Sequence, residues 1–379
     1  MIYLDNAASS HPKPAAVYAE ADRVLRLGAN PGRSGHEPSL DAARTVLEAR
    51  LALAELLGVA DPARIAFTAN GSHALNLALK GVLRPGDHVV TTVMEHNSVL
   101  RPLATLERSG VEVTLVDADP TGRVEPAALE AALRPGTRLV ALNHASNVSG
   151  TLQDAAAVGE ICRRRGVLFL LDAAQTAGSV PLAVEGLGVH LLAAPGHKGL
   201  LGPQGTGVLY VAPGVELRPL LEGGTGVLSE SREMPVHMPD ALEAGTLNTP
   251  GLAGLGAGVR TLLERGVDTV RRHELDLLER VLPALRAVPE LTVYGPVDPR
   301  RRVAVVSFNL AGRDGAHLGY ALDQVYGIAV RVGLHCAPEA HRALGSFPAG
   351  TVRASFGPFS TVEDADALVE AVRQLGALA

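Results

Sequence analysis

Val167-Leu168-Phe169-Leu170-Leu171-Asp172 is five apolar residues closed by a carboxylate. No polar residue interrupts the run, so it reads as a strand buried on both faces, as in a parallel sheet covered by helices. Similar short runs flank it, at 64–68, 87–91, 111–116 and 139–142 upstream and at 189–194 downstream. The segments between them have helical spacing. One helix is predicted to start at an N-cap Ser39, to present Leu40, Ala43, Leu47, Leu51 and Ala54 on one buried stripe, and to stop at Gly58. Strand-like runs alternating with helices predict an α/β fold around a mostly parallel sheet. Ligands of such sheets bind beyond the carboxyl ends of the strands, which is where Asp172 falls.

The last third changes pattern. Two long helical patterns, 248–266 and 267–288, precede a strand at 303–308, a helix at 315–326, strands at 328–331 and 352–355, and a closing helix from about 362. This predicts a large domain, 15–250, and a smaller α+β domain, 251–379; a separate N-terminal segment, 1–14, is expected to pack on the smaller one. A length of 379 residues suits two or three domains. With 47% apolar and 20% charged residues the chain is not a disordered one. The net charge of -6, the lack of Trp and the absence of a basic tract argue against nucleic acid or an anionic membrane as partner. No apolar run has the length of a membrane span. The opening Met1-Ile2-Tyr3-Leu4-Asp5-Asn6 has neither a basic nor an apolar leader pattern, so a cytoplasmic location is expected. Cys162 and Cys336 are the only cysteines and read as reduced thiols.

Six places could carry chemistry. Gly196-His197-Lys198-Gly199 follows the run 189–194. A lysine there is often a solvated surface residue, but a desolvated one has a lowered pKa and can form a Schiff base. Asp172 lies 26 residues earlier, which suits a neighbouring strand end. It is either a helix cap or a carboxylate that holds a proton on a heterocyclic nitrogen, and with Lys198 it would supply two groups that a pyridoxal phosphate site needs. Asn70-Gly71-Ser72-His73 opens a helix, where free N–H groups and the Ser72 hydroxyl suit a phosphate; it matches neither a Walker loop nor a dinucleotide fingerprint. His96, in Met94-Glu95-His96-Asn97-Ser98, follows the run 87–91 and could stack on a ring or move protons. Cys336, in Gly333-Leu334-His335-Cys336-Ala337-Pro338, suits an exposed nucleophile whose thiolate a neighbouring cation would favour. Cys162, within a helix, reads as buried and inert. Arg353 is a candidate for bidentate carboxylate binding.

Together these pieces resemble the cysteine desulfurases, in the class V branch of fold-type I pyridoxal-phosphate enzymes. The resemblance rests on Tyr3-Leu4-Asp5-Asn6-Ala7-Ala8, Met94-Glu95-His96, Ser146-Asn147-Val148-Ser149-Gly150, Asp172-Ala173-Ala174-Gln175, Gly196-His197-Lys198, Glu243-Ala244-Gly245-Thr246 and the segment 331–337. The His335-Cys336-Ala337 form of the Cys loop looks like the Suf-type branch. The resemblance implies pyridoxal 5'-phosphate as cofactor and sulfur removal from L-cysteine, leaving L-alanine and a persulfide on Cys336. That sulfur would pass to an acceptor protein, as in iron–sulfur cluster assembly. Lys198 would carry the cofactor and shuttle protons. Asp172 would pair with the ring nitrogen, Gln175 with the phenolic oxygen, and His96 would stack on the ring. Ser72, Gly71 and His197 would hold the phosphate, with Thr246 reaching it from the partner of a homodimer. Arg353, Asn147, Arg331 and His36 would form the substrate pocket.

Two departures stand out. Pro195 replaces a Ser or Thr common before Gly-His-Lys, and Gly71-Ser72 replaces a Thr pair, so two phosphate-cup hydroxyls are lost. Sixteen residues separate Cys336 from Arg353, slightly more than in the usual Suf-type loop. A selenocysteine lyase would share the whole site. A class V aminotransferase or epimerase would not need Cys336. A silent scaffold presenting a thiol would not need Lys198, Asp172, Gln175 and His96.

Overall fold

The computed structural model describes residues 1–32 and 34–377. Its central sheet has seven strands, in the order Ile65–Thr68, Gly207–Val211, Leu191–Pro195, Leu168–Asp172, Thr137–Asn143, His88–Thr92 and Glu112–Val116. Only Gly207–Val211 runs against its neighbours. The expected mostly parallel α/β fold is therefore present. All five residues of Leu191–Pro195 are buried, as are four of the five in Leu168–Asp172. The run at 111–116 differs: Glu112–Val116 is an edge strand and is buried only at Val116. The short strand Gly207–Val211 has no counterpart in the sequence expectations, because it directly follows a Gly-rich stretch that reads as loop.

A second, antiparallel sheet orders Arg331–Gly333, Thr351–Ser355, Val305–Leu310 and Leu291–Val293, over a separate core. Ile2–Tyr3 pairs in parallel with Ile328–Ala329, so the chain start lies along this second unit. Helix Thr249–Arg265 buries Leu252, Leu255, Val259 and Leu262 in the core of the large sheet, whereas Val267–Arg286 gives Leu277 to Leu285 to the second core. The passage between cores runs through this helix pair. Among the described residues no helix is long and apolar enough to cross a membrane.

The helix expected to begin at Ser39 is Glu37–Leu57, capped by His36, and it does end at Gly58 in the left-handed conformation (φ 65°). Its predicted stripe holds at Ala54, which is buried, and fails at the leucines. Leu40, Leu47 and Leu51 are 58%, 53% and 46% exposed, while Ala42, Val46, Ala49 and Leu53 face the core. Close packing explains the choice. Helix Thr249–Arg265 presents Gly256, where an added Cβ would sit 3.1 Å from the Ala49 Cα. Backbones that approach this closely accept small residues on the shared face, and the leucines are turned outward.

Arg50, on the same helix, forms a buried pair with Glu243. Its Nη1 and Nη2 donate to the two carboxylate oxygens at 2.9 and 3.0 Å, and the Phe67 N–H donates to Glu243 Oε1 at 2.6 Å. Glu243 precedes the Gly245-Thr246 loop, so the pair anchors that loop to the sheet. Removing one partner strands a buried guanidinium, which costs about 3–5 kcal/mol. Glu243→Ala is expected to lower the thermal midpoint by roughly 10 °C. An unchanged midpoint in a calorimetric scan would contradict this role.

Candidate active site

The carboxyl ends of the parallel strands converge on a cavity of about 180 Å³. Its walls unite Gly71, Ser72, His96, Asn147, Asp172, Gln175, His197 and Lys198, all expected from the sequence to serve one site. Asp172 is the last residue of its strand and is in register with Ala193 on the next one, which leads through Pro195 to Lys198. Asp172 accepts a hydrogen bond from the Ala174 N–H at 2.9 Å. Burial pushes its pKa up, and that backbone bond and the nearby Lys198 oppose the shift. Lys198 moves the other way: burial, reinforced by Arg353 and opposed by Asp172, lowers its amine to about 8. The free-base fraction at pH 7 is then roughly a tenth, against far less than a hundredth for an ordinary lysine.

His96 caps helix Asn97–Glu107, with Nδ1 accepting from the Ser98 N–H at 3.0 Å. Burial and then the charge of Lys198 lower its pKa to about 4, so the ring is neutral at pH 7. With Nδ1 an acceptor, the ring proton sits on Nε2. Ser72 lies in the first turn of helix Gly71–Val82, and its Oγ is 2.6 Å from the Ser98 Oγ. Free N–H groups of this first turn and the Ser72 hydroxyl form an anion-friendly wall. Gly71 and Pro195, where the cup's two hydroxyls are lost, meet here. A Cβ at Gly71 would lie 3.1 Å from Pro195 Cδ, so the small residue and the proline occupy one contact. Two polar atoms on the walls, Asn147 Oδ1 and His197 Nδ1, are buried without a protein partner.

Cys336 is exposed and follows strand Arg331–Gly333. It lines a groove together with Ser72, His96 and Ser98, which also line the cavity, so the thiol stands at the cavity's rim. The Cys336 carbonyl accepts from the Asn97 N–H at 2.8 Å, and Asn147 Nδ2 donates to the His335 carbonyl at 2.6 Å. Both bonds tie the Cys loop to the large unit. His335 and Cys336 adopt left-handed backbone angles, with φ of 47° and 59°, which costs non-glycine residues about 1–3 kcal/mol each. His335 does not provide the cation that the sequence reading looked for. Its ring is buried, Nε2 lies 3.1 Å from the Thr351 carbonyl, and burial drives its pKa down to about 2. Cys162 is buried in helix Ala155–Arg165, and burial pushes its thiol up to about 12, in keeping with an inert residue.

Other expected residues lie outside the cavity. Arg353 is fully buried in strand Thr351–Ser355, at the joint of the two units. Arg331 is exposed and directly opposite it across the strand pair. Thr246 is exposed beside a different cavity of about 220 Å³, with Asn30, Arg50 and Glu243. His36 is exposed and is occupied as a helix cap; its Nδ1 accepts from the Ser39 N–H at 3.3 Å. Within one chain it is not brought to the other site residues. Arg33, three residues before it, lies outside the described residues.

Sequence reading missed several wall residues. Ser98 bridges His96 and Ser72, and only its position two residues after His96 hinted at that. Asn143 ends strand Thr137–Asn143, in register with Asp172. Beneath it Glu95 accepts from the Asn143 N–H at 3.0 Å and from the Thr92 hydroxyl at 2.8 Å. Burial raises Glu95 to about 8, so it is a neutral acid at pH 7 and adds no charge beside Asp172. Among the described residues no cluster of His, Cys, Asp and Glu could hold a metal ion.

Comparison with known proteins is consistent from end to end. The family model described as Aminotransferase class-V matches residues 2–368. A protein of Methanothermobacter thermautotrophicus named "Probable cysteine desulfurase" is 38% identical over 384 residues, spanning 100% of this chain and 95% of the relative. The cysteine desulfurase IscS of Vibrio cholerae is 34% identical, over 98% of this chain and 92% of the relative. Among solved structures, a cysteine desulfurase from Thermococcus onnurineus superposes with a TM-score of 0.93 at 34% identity, covering 100% of this chain and 95% of that one.

Proposed function

The chain belongs to the class-V aminotransferase family, and we propose that it is a pyridoxal-phosphate-dependent cysteine desulfurase, taking L-cysteine to L-alanine and a Cys336 persulfide. The observation that carries this reading is the exposed thiol of Cys336 at the rim of a cavity that holds Lys198 and Asp172 side by side. An aminotransferase or epimerase has no use for that thiol.

The walls fit pyridoxal phosphate. Asp172, buried at a strand end, would face the ring nitrogen, and His96 the ring. Gln175 would face the phenolic oxygen, and its Nε2 already donates to the Ala7 carbonyl at 3.1 Å. Ser72, the Gly71 N–H and the unpartnered His197 ring would take the phosphate. The unpartnered Asn147 amide oxygen faces the same space. Bound there, the cofactor would act as an electron sink that loosens the bonds at the substrate's Cα and Cβ.

This chain's residues would do the rest. Lys198 would anchor the cofactor covalently, and its lowered pKa lets it accept and return a proton near neutral pH. Arg353 would bind the substrate carboxylate, with Arg331 close by. The Cys336 thiolate would form a bond to the substrate sulfur as the bond from that sulfur to Cβ breaks; the electron pair stays with the carbon skeleton, which takes up a proton to become alanine. An acceptor thiol would then collect the sulfur. A second copy of the chain would complete the site through Thr246. The exposed face of Leu40, Leu47 and Leu51 is the kind of surface that such a dimer covers.

Incubating the purified, cofactor-loaded protein with L-cysteine and a reducing thiol should yield sulfide and alanine in equal amounts. Pyruvate or racemised amino acid without sulfide would overturn the reading. Selenocysteine supplied in parallel distinguishes a lyase preference, and sedimentation velocity reports whether the active species is a dimer.

A further inference from the structure

We propose that Asp5 is the positioning residue for Arg353, holding its guanidinium ready for a substrate carboxylate; the inference rests on the role given to Arg353 above. Arg353 is 1% exposed, and a buried guanidinium needs an anion. Among the described residues Asp5 is the one carboxylate in range: Arg353 Nη2 donates to Asp5 Oδ1 at 2.8 Å. Nη1 donates to the Asn147 carbonyl at 3.0 Å, and Nε is buried without a partner. Two anchors on different nitrogens fix the plane of the fork. Of its five N–H donors, Nε–H and others remain for an incoming ligand.

Asp5 is itself pinned. The Leu4 N–H donates to the Ala329 carbonyl at 2.9 Å, the Ser355 N–H to the Leu4 carbonyl at 2.7 Å, and the Ala7 N–H to Ser355 Oγ at 2.9 Å. Further along the same segment, Ser10 Oγ donates to the Lys198 carbonyl at 2.8 Å and Lys13 Nζ to the His197 carbonyl at 2.8 Å. One stretch of chain, residues 4–13, therefore grips both the fork and the lysine loop. It sets the distance between the group that would bind the carboxylate and the group that would move the proton. Asp5 also offsets the repulsion between Arg353 and Arg331, which face each other across the strand pair. Preorganisation of this kind removes an ordering cost from substrate binding.

The test compares binding of L-alanine and L-alaninamide to the cofactor-loaded protein by isothermal titration calorimetry. The two ligands differ in the carboxylate alone. Asp5→Asn is expected to lower the wild-type preference for alanine by about tenfold, the scale of a hydrogen bond to a charged group. Asp5→Glu keeps the charge on a longer arm and should lose less; it also serves should the asparagine variant not fold. A preference that stays unchanged or rises in these variants, even with a lower thermal midpoint, overturns the inference and leaves Asp5 a merely structural or competing anion. Arg353→Lys separates the premise: if it leaves the ratio unchanged, Arg353 does not bind the carboxylate at all.

Discussion

Lys198→Ala is expected to abolish sulfide release from L-cysteine, by a factor of about 10⁴ or more, and to leave the reconstituted protein without covalently held cofactor. The physical basis is local. Lys198 sits in a half-buried turn after a fully buried strand, and burial costs the ammonium form more than the amine. Its pKa of about 8 is therefore lowered, and the neutral amine gains as pH rises through 8 instead of above 10. Reductive labelling of the cofactor-free protein by pyridoxal phosphate and cyanoborohydride should follow that curve and map to Lys198. In wild type, reconstitution should give a yellow protein; in Lys198→Ala the colour should wash out on dialysis. Labelling that maps to another lysine, or full turnover by the alanine variant, would remove Lys198 from the mechanism. Lys13 is the informative control. It too is lowered to about 8 by burial, yet its Nζ is held by Ser10 Oγ at 2.7 Å and by the His197 carbonyl.

The groups on the sheet edge were legible in the sequence, because a parallel strand announces itself as an apolar run and its carboxyl end follows directly. Asp172, Lys198 and His96 all follow such runs, and one cavity collects them together with Asn147, which only the family resemblance pointed to. What stayed hidden depends on partners distant in sequence. Asp5 meets Arg353 across 348 positions, and no spacing rule connects them. His335 looked like a helper for Cys336, but burial makes it a neutral structural ring. The helix Glu37–Leu57 misled for a related reason. Its leucine stripe has the period of a core face, but the glycine-rich helix Thr249–Arg265 presses so close that only Ala42, Ala49 and their neighbours fit between. Periodicity reports an apolar face; it does not say whether this chain or another covers it.

Cys336→Ser is expected to keep cofactor and L-cysteine binding and to lose sulfide release by about 10³-fold or more. The nucleophile must be a thiol of the protein, and there are two. Cys162 is buried in its helix, and its thiol is raised to about 12, so it can neither reach the cavity nor ionise at neutral pH. Cys336 is exposed on a loop whose carbonyls at 335 and 336 are tied to Asn147 and Asn97, residues adjoining the site. Those bonds place the thiol at the rim, where it stays exposed. The left-handed angles at His335 and Cys336 hold the turn that points it there, so the serine variant, which preserves backbone demands, should leave the loop intact. Mass spectrometry after brief exposure of wild type to L-cysteine should find one additional sulfur on the Cys336 peptide and none on the Cys162 peptide. Cys162→Ser should turn over at nearly the wild-type rate. If Cys336→Ser still releases sulfide at the wild-type rate, sulfur leaves without a protein persulfide, and a family member that acts on the amino group alone becomes the better description.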